Sequence, residues 1–171
     1  MQLERVLRAK GYNIEIVNAG VSGDTTGGGL ARFDWAIPDG TDAVILELGA
    51  NDALRGIDPE LTQKALDQIL AKLKARNIKV LIAGMKAPSN WGADYVAKFD
   101  PIFPELAAKY GAKLYPFFLA GIAQRQDLNQ SDGLHPTAKG VGEIVNRILP
   151  ATEQLIATVT AAQPAGGPSK F

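Results

Sequence analysis

Residues 43–48 read Ala-Val-Ile-Leu-Glu-Leu, an almost unbroken apolar run that is followed by Gly49. Residues 79–85, Lys-Val-Leu-Ile-Ala-Gly-Met, have the same character. Continuous apolar runs of this length are typical of parallel strands that are buried on both faces of a sheet. Weaker strand patterns lie over residues 13–18 and 113–117. The chain is therefore predicted to form a mostly parallel sheet.

Segments with helical periodicity separate the predicted strands. Residues 59–77 place their apolar side chains on one helical face and most of their charges on the other. Asp58 followed by Pro59 is typical of the start of a helix. Further helices are predicted over residues 95–110 and 137–157. Alternating strands and helices indicate an α/β sandwich. Ligands of such sheets bind beyond the carboxyl ends of the strands.

The composition is that of one globular domain. The 171 residues include 18 Lys and Arg and 18 Asp and Glu, so the balanced charge argues against a nucleic-acid partner. No apolar run reaches the roughly 18–20 residues of a bilayer span, so no stable membrane insertion is expected. Residues 1–157 are predicted to form the domain, and residues 158–171 a flexible C-terminal tail rich in Pro and Gly.

Cysteine and histidine usage restricts the chemistry. The chain has no cysteine and a single histidine, His135. Disulfides, thiol catalysis and a metal site built on several Cys or His side chains are therefore excluded. No metal is expected, and any imidazole chemistry must use His135.

Three loops at predicted strand ends carry polar residues. Residues 19–29 are glycine-rich and form either a plain turn or an anion-binding loop. Asn51 and Asp52 follow the second strand, where they either donate into the crevice or make a turn or cap. Asp132 precedes His135 by three residues, so its carboxylate can bind the ring Nδ1–H and leave Nε2 free as a base. The alternative is an exposed loop histidine beside an incidental acid.

Three blocks in this order resemble the SGNH, or GDSL-type, hydrolases, in particular the small bacterial arylesterases and thioesterase–lysophospholipases. They are residues 17–26 (Val-Asn-Ala-Gly-Val-Ser-Gly-Asp-Thr-Thr), 46–56 (Leu-Glu-Leu-Gly-Ala-Asn-Asp-Ala-Leu-Arg-Gly) and 132–136 (Asp-Gly-Leu-His-Pro). The resemblance covers about residues 1–157. It implies a flavodoxin-like three-layer α/β/α sandwich and serine ester hydrolysis through an acyl-enzyme. It implies no metal or organic cofactor.

The resemblance assigns roles by position. The backbone N–H of Gly23 and the side-chain N–H of Asn51 would bind the oxyanion, where each donor contributes about 10²–10³ to the rate. His135 would be the general base and Asp132 its orienting partner. The implied substrates are small acyl esters: short- to medium-chain acyl esters, thioesters and aryl esters.

Three further residues are candidate substrate contacts. Arg55 lies soon after Asn51 and is either a contact for a polar leaving group or a surface charge. The segment 86–95 resembles the family's mobile substrate loop, in which Trp91 and Tyr95 either line an acyl groove or pack on the scaffold.

One block of the family is missing. Its nucleophilic serine stands in a Gly-Asp-Ser block after the first strand, and Ser22, Ser89, Ser131 and Ser169 all lie outside such a context. The nucleophile is therefore unassigned. Because loss of a triad serine can cost on the order of 10⁶ in turnover, we expect negligible esterase activity from this chain. The alternative is a non-catalytic pseudo-hydrolase that binds an acyl or carbohydrate ligand.

The missing block also has a structural consequence. In the flavodoxin-like strand order the absent first strand would lie between the strands over 13–18 and 43–48. Either the chain is a fragment of a longer protein, or the flanking strands pair directly, or a second copy or the tail fills the gap. A homo-oligomer or strand swap is thus one expectation. Localisation would be periplasmic or secreted if a leader lies upstream, and cytoplasmic otherwise.

Overall fold

A computed structural model describes residues 1–160 and 169–170. The helices and strands, numbered in chain order, are α1 Gln2–Ala9, β1 Ile14–Glu15, α2 Thr26–Ala31, α3 Phe33–Ala36, β2 Ala43–Leu46, α4 Ala50–Leu54, α5 Pro59–Ala75, β3 Lys79–Ala83, α6 Ala93–Phe99, α7 Ile102–Tyr110, β4 Lys113–Tyr115, α8 Ala138–Thr160 and β5 Ser169–Lys170. A short 3₁₀ helix, Ser89–Trp91, precedes α6. The predicted alternation of strands and helices is confirmed.

The described strands form two parallel groups. The strands β2, β3 and β4 lie side by side in that order, with Ala43 opposite Lys79 and Leu81 opposite Lys113. The strand β1 pairs in parallel with β5, with Ile14 opposite Ser169. The four predicted strands therefore exist, although each is shorter than its apolar run. The parallel α/β fold is confirmed.

The pairing of β1 bears on the predicted gap. In the described residues β1 and β2 do not pair with each other, and the partner of β1 is the C-terminal segment Ser169–Lys170. Part of the predicted tail thus forms a strand. Residues 161–168 and 171 of that tail lie outside the described residues. The helix α8 runs to Thr160, three residues beyond the predicted end at 157.

Helices cover both faces of the sheet. On one face, side chains of α3 to α7 pack on Leu46 and Ile82 around a core that includes Phe99 and Phe103. On the other face, α8 packs on Ala43, Leu81 and Ala83. These two layers and the sheet between them form the predicted three-layer sandwich. Full burial of each large apolar side chain contributes about 1.5–3 kcal/mol.

The helix α8 also reaches β1. Its Ile156 packs with Leu7 of α1 and Ile14 of β1, while its Leu155 belongs to the core against β2 and β3. One helix therefore covers both groups of strands, which places β1 on the same side of α8 as the three-stranded sheet.

The segment 95–110, predicted as one helix, is two. The helix α6 ends at Phe99 and α7 begins at Ile102. Pro101 has no backbone N–H and restricts the residue before it, which interrupts a helix. The Asp100 side chain at this break accepts the N–H of Ala87 at 2.9 Å.

Among the described residues, every helix is too short or too polar to span a bilayer.

Candidate active site

Asp132 and His135 lie in the loop before α8, where the Asp132 carboxylate makes two contacts with His135 and one with Leu134. Oδ2 of Asp132 is 2.7 Å from Nδ1 of the His135 ring. Its Oδ1 accepts the backbone N–H groups of Leu134 at 2.9 Å and His135 at 3.0 Å. Gly133, with φ of +71°, lets the chain turn tightly enough for these contacts. The predicted acid–base pair is therefore formed geometrically.

The hydrogen bonds keep the Asp132 carboxylate ionised. The backbone N–H of His135, then its ring, then the backbone N–H of Leu134 lower the pKa of Asp132 to about 2. Donors directed at the charged form of a carboxylate stabilise that form. The side chains remain open to solvent, with 43% of Asp132 and 62% of His135 exposed. With Nδ1–H bound to the carboxylate, Nε2 of His135 is available as a base.

The second group of predicted residues surrounds the loop between β1 and α2. Gly23 has φ of +78°, in the left-handed region that favours glycine. The Asn51 side-chain amide donates to the carbonyl of Asp24 at 2.9 Å, and the Arg55 guanidinium donates to the carbonyl of Gly23 at 2.7 Å. Within the described residues the backbone N–H of Gly23 has no hydrogen-bond partner. One N–H of the Asn51 amide is also left over.

A buried network fixes this loop from below. The Asp52 carboxylate accepts the backbone N–H and the hydroxyl of Thr26, at 2.9 and 2.5 Å, and the hydroxyl of Thr62 at 3.2 Å. Asp52 and Thr26 are each only 1% exposed. The carboxylate thereby joins the start of α2 to α4 and α5. This role exceeds the turn or cap that the sequence suggested for Asp52.

A salt bridge holds the same loop at its other side. Arg32 binds the Asp24 carboxylate at 2.6 Å and the carbonyl of Ala19 at 2.7 Å. No pattern in the sequence indicates this role of Arg32, because its two partners lie in the preceding glycine-rich loop and depend on how that loop folds. The loop that carries Gly23 is thus held at several points.

The predicted substrate-loop aromatics contact the segment between α4 and α5. The Trp91 indole N–H donates to the carbonyl of Ala53 and the Tyr95 hydroxyl to the carbonyl of Ile57, both at 2.7 Å. Trp91 packs so closely on Gly56 that a Cβ there would lie 2.9 Å from its ring. Trp91 stays 44% exposed. The polar atoms of both side chains are therefore engaged with the scaffold, while the Trp91 ring retains an open face.

The candidate residues form two separate groups. Gly23, Asn51 and Arg55 are joined by hydrogen bonds, and Asp132 is bound to His135. No hydrogen bond or ion pair links one group to the other in residues 1–160. A cavity of about 530 Å³ adjoins Asp132 of the acid–base pair. It is lined by Gln124, Arg125, Gln126, Asn129, Gln130, Ser131, Asp132 and Gly133.

Glu47 is a further polar residue near the strand ends that the sequence left without a role. It follows the last residue of β2, and burial raises the pKa of its carboxyl. Along an extended chain it shares a side with Ala43, which packs under α8. No side-chain hydrogen bond reaches Glu47 from the described residues.

The sequence profile of the GDSL-like lipase/acylhydrolase family matches residues 1–141. The chain belongs to this family. Esterase TesA of Pseudomonas aeruginosa is 36% identical over 155 residues, which are 90% of this chain and 77% of that protein. The arylesterase of Vibrio mimicus is 36% identical over 135 residues, or 78% of this chain and 68% of the relative. Thioesterase 1/protease 1/lysophospholipase L1 of Escherichia coli K12 is 39% identical over 71% of this chain and 59% of its own length.

Solved structures of GDSL-like acylhydrolases agree with the fold. The crystal structure of TesA superposes with a TM-score of 0.84, covering 90% of this chain and 86% of that one at 36% identity. AlinE4, an SGNH-hydrolase family esterase, has 47% identity and a TM-score of 0.74 over 96% of this chain and 85% of its own. The predicted family, the parallel α/β fold and the assignment to the carboxylic ester hydrolases are confirmed.

Proposed function

We propose that this chain carries the base and the oxyanion-binding groups of a serine-type carboxylic ester hydrolase. The observation that carries the proposal is the 2.7 Å contact between Asp132 Oδ2 and His135 Nδ1. This contact leaves Nε2 of His135 free, and the chain belongs to an acylhydrolase family. The proposed substrates are short- to medium-chain acyl esters, thioesters and aryl esters.

Each residue has a distinct role in the proposed reaction. His135 Nε2 removes the proton from the attacking hydroxyl and returns it to the leaving group, and Asp132 holds the ring in the required tautomer. The N–H of Gly23 and the remaining N–H of Asn51 donate to the oxyanion, with each donor contributing about 10²–10³ to the rate. Trp91 contributes its open face to the acyl group.

The attacking hydroxyl is the element that we do not assign to this chain. Ser131 lies next to Asp132 and lines the neighbouring cavity, and Ser22 lies next to Gly23, but neither stands in the Gly-Asp-Ser context of the family. Without the nucleophile the remaining groups lack the atom that forms the acyl-enzyme, and the loss is on the order of 10⁶ in turnover. We therefore propose that the chain as printed hydrolyses esters negligibly.

The test compares ester hydrolysis with covalent labelling. The chain, His135→Ala and Asp132→Asn are assayed with p-nitrophenyl acetate and butyrate and with a fluorophosphonate probe. The control is Asp127→Asn, an exposed carboxylate that is paired with Arg125 and Lys139. We expect no turnover above the His135→Ala level and no labelling. Hydrolysis that is lost in His135→Ala and kept in Asp127→Asn would show that the chain has its own nucleophile.

The unpaired edge of β2 leads to a proposal about assembly. The strand β2 pairs only with β3, and no strand of the described residues pairs with its other edge. Such an edge is a template for another strand. We propose that a strand exchanged with a second copy completes it. Sedimentation should then give twice the 18.2 kDa chain mass; a monomer at all concentrations would contradict the exchange.

One observation supports a second candidate function. Four amide side chains, those of Gln124, Gln126, Asn129 and Gln130, line the cavity beside the acid–base pair. Amides donate and accept hydrogen bonds, which suits a ligand with many hydroxyl groups. A pseudo-hydrolase would bind carbohydrate or acyl ligands there without turnover. Saturation-transfer NMR with acetylated oligosaccharides and fatty-acid esters tests it, and Gln130→Ala should weaken any binding seen.

A further inference from the structure

Two side chains of one helical turn hold two consecutive carbonyl groups of the loop between β1 and α2. Asn51 lies in α4, and Arg55 is the first residue after the end of that helix. The two residues are four positions apart, so their side chains project from the same side. Asn51 donates to the carbonyl of Asp24 at 2.9 Å and Arg55 to that of Gly23 at 2.7 Å. We call this pair of contacts the carbonyl clamp.

The clamp restrains a residue that has little restraint of its own. Glycine has no Cβ and takes positive and negative φ with similar ease. Gly23 adopts φ of +78°, and its backbone N–H donates to no other described residue. A peptide unit is planar, so holding the Gly23 carbonyl also fixes the N–H of Asp24, which donates to the carbonyl of Val21 at 3.2 Å and closes the turn that contains Gly23. Holding the two units that follow Gly23 therefore limits the conformations that Gly23 itself can sample.

The contact made by Arg55 adds a role to the two interpretations that the sequence allowed, a leaving-group contact and a surface charge. An exposed arginine usually pairs with a carboxylate or remains in water. Arg55 instead directs Nη2 at a neutral main-chain carbonyl 32 residues away along the sequence. This contact commits part of the guanidinium to the scaffold.

The main chain that carries Arg55 is itself held from the opposite side. The carbonyls of Ala53 and Ile57, which flank Arg55 in sequence, accept the hydrogen bonds of Trp91 and Tyr95 at 2.7 Å. A continuous set of contacts therefore runs from the segment 89–95 through the end of α4 to Gly23.

We propose that Arg55 is a positioning residue that keeps Gly23 in the positive-φ conformation in which its N–H is free to bind an anionic oxygen. The inference rests on the proposed function for the identity of that oxygen. Its structural core, the dependence of the Gly23 conformation on Arg55, does not require turnover. It can therefore be tested on the chain as it exists.

The test is solution NMR of the ¹⁵N-labelled chain and its variants. In Arg55→Met we expect averaged couplings between the amide proton and the two α protons of Gly23. We also expect exchange at least about tenfold faster at the Asp24 amide, which donates to the carbonyl of Val21 at 3.2 Å, because opening becomes local. Arg55→Lys keeps a cationic hydrogen-bond donor and should retain part of the restraint on Gly23. Millimolar guanidinium should restore part of the restraint on Gly23 in Arg55→Ala. The matched control is Arg5→Met, because Arg5 is an exposed arginine on α1.

The outcomes separate this inference from the hydrolase proposal. Unchanged Gly23 couplings and unchanged Asp24 amide exchange in Arg55→Met, with the wild-type thermal midpoint, would overturn the positioning role. The same changes in Arg5→Met would also overturn it, because they would show a general effect of losing a charge. A lack of ester turnover or ligand binding in every variant would contradict the proposed function and leave these NMR outcomes fully interpretable.

Discussion

Asp132 holds the ring of His135 through one carboxylate oxygen and the backbone of the same histidine through the other, at 2.7 and 3.0 Å. The four-residue turn from 132 to 135 therefore orients the imidazole without help from a distant element. The arrangement explains how an acid–base pair can remain ordered although both side chains are open to solvent.

The first prediction concerns the titration of Asp132. Its pKa is about 2, and the leading cause is the backbone N–H of His135. Replacing the ring in His135→Phe should raise the pKa only part of the way to the ordinary value, because the backbone donors of residues 134 and 135 remain. Carboxyl ¹³C NMR from about pH 1.5 to about pH 6 measures this pKa. A return to the ordinary value would contradict the backbone contribution.

The same shift fixes the sign of a stability effect. The pKa of Asp132 is lower in the folded than in the unfolded chain, so its contribution is complete above the unfolded value of about 4 and is lost as the pH falls towards about 2. Asp132→Asn should therefore reduce acid sensitivity in that window. Asp127→Asn is not a neutral comparison here, because the pKa of Asp127 is also about 2.

The second prediction concerns the buried carboxylate of Asp52. Asp52→Ala removes the acceptor of three donors, two of them from Thr26 and one from Thr62. Since each unpaired buried group costs about 1–3 kcal/mol, we expect the free energy of unfolding to fall by about 3 kcal/mol or more. Urea denaturation measures it. The matched control is Asp34→Ala, whose side chain is 83% exposed, with an expected change within about 0.5 kcal/mol.

The third prediction concerns the close approach of two backbone segments at Gly84. Gly84 exchanges hydrogen bonds with Tyr115 and Phe118, both at 2.8 Å, and a Cβ added to it would lie 2.5 Å from the carbonyl oxygen of Pro116. Gly84→Ala should lower the free energy of unfolding by about 1–3 kcal/mol.

The control for this prediction is Gly27→Ala. Gly27 lies in α2, and an added Cβ would have its nearest neighbour, Thr25 Oγ1, at 3.9 Å. Alanine is the better helix former, so this variant should gain about 0.5–1 kcal/mol. Equal effects of the two substitutions in thermal or urea unfolding would show that the steric explanation is incorrect.

The fourth prediction concerns Glu47. Burial raises the pKa of its carboxyl, so folding favours the protonated form and stability falls as the pH rises from the unfolded to the folded pKa. Glu47→Gln should therefore raise the thermal midpoint at pH 7 and lose that advantage in acid, where Glu47 is protonated. Glu15→Gln, at an exposed glutamate of β1, is the control. A lower midpoint in Glu47→Gln at pH 7 would indicate an ionised role for the carboxylate.

The accuracy of sequence analysis here depends on how local each signal is. The strands β2 and β3 were predicted because burial on both faces requires continuous apolar residues, and the contact of Asp132 with His135 because three residues of chain suffice to form it. Pro101 breaks the segment 95–110 into two helices, although the apolar period continues on both sides of it. The role of Asp52 depends on where α2 begins in space, and no spacing within the sequence encodes that position.

The partner of β1 has a consequence for how the molecule is made. Ile14 emerges early in translation, and Ser169, which lies opposite it, is added more than a hundred residues later. Pairing across such a separation forms slowly, because closing a long loop costs chain entropy before any contact offsets it. A nascent chain therefore exposes the edge of β1 throughout most of its synthesis, and chaperone binding to that edge should be highest before release from the ribosome.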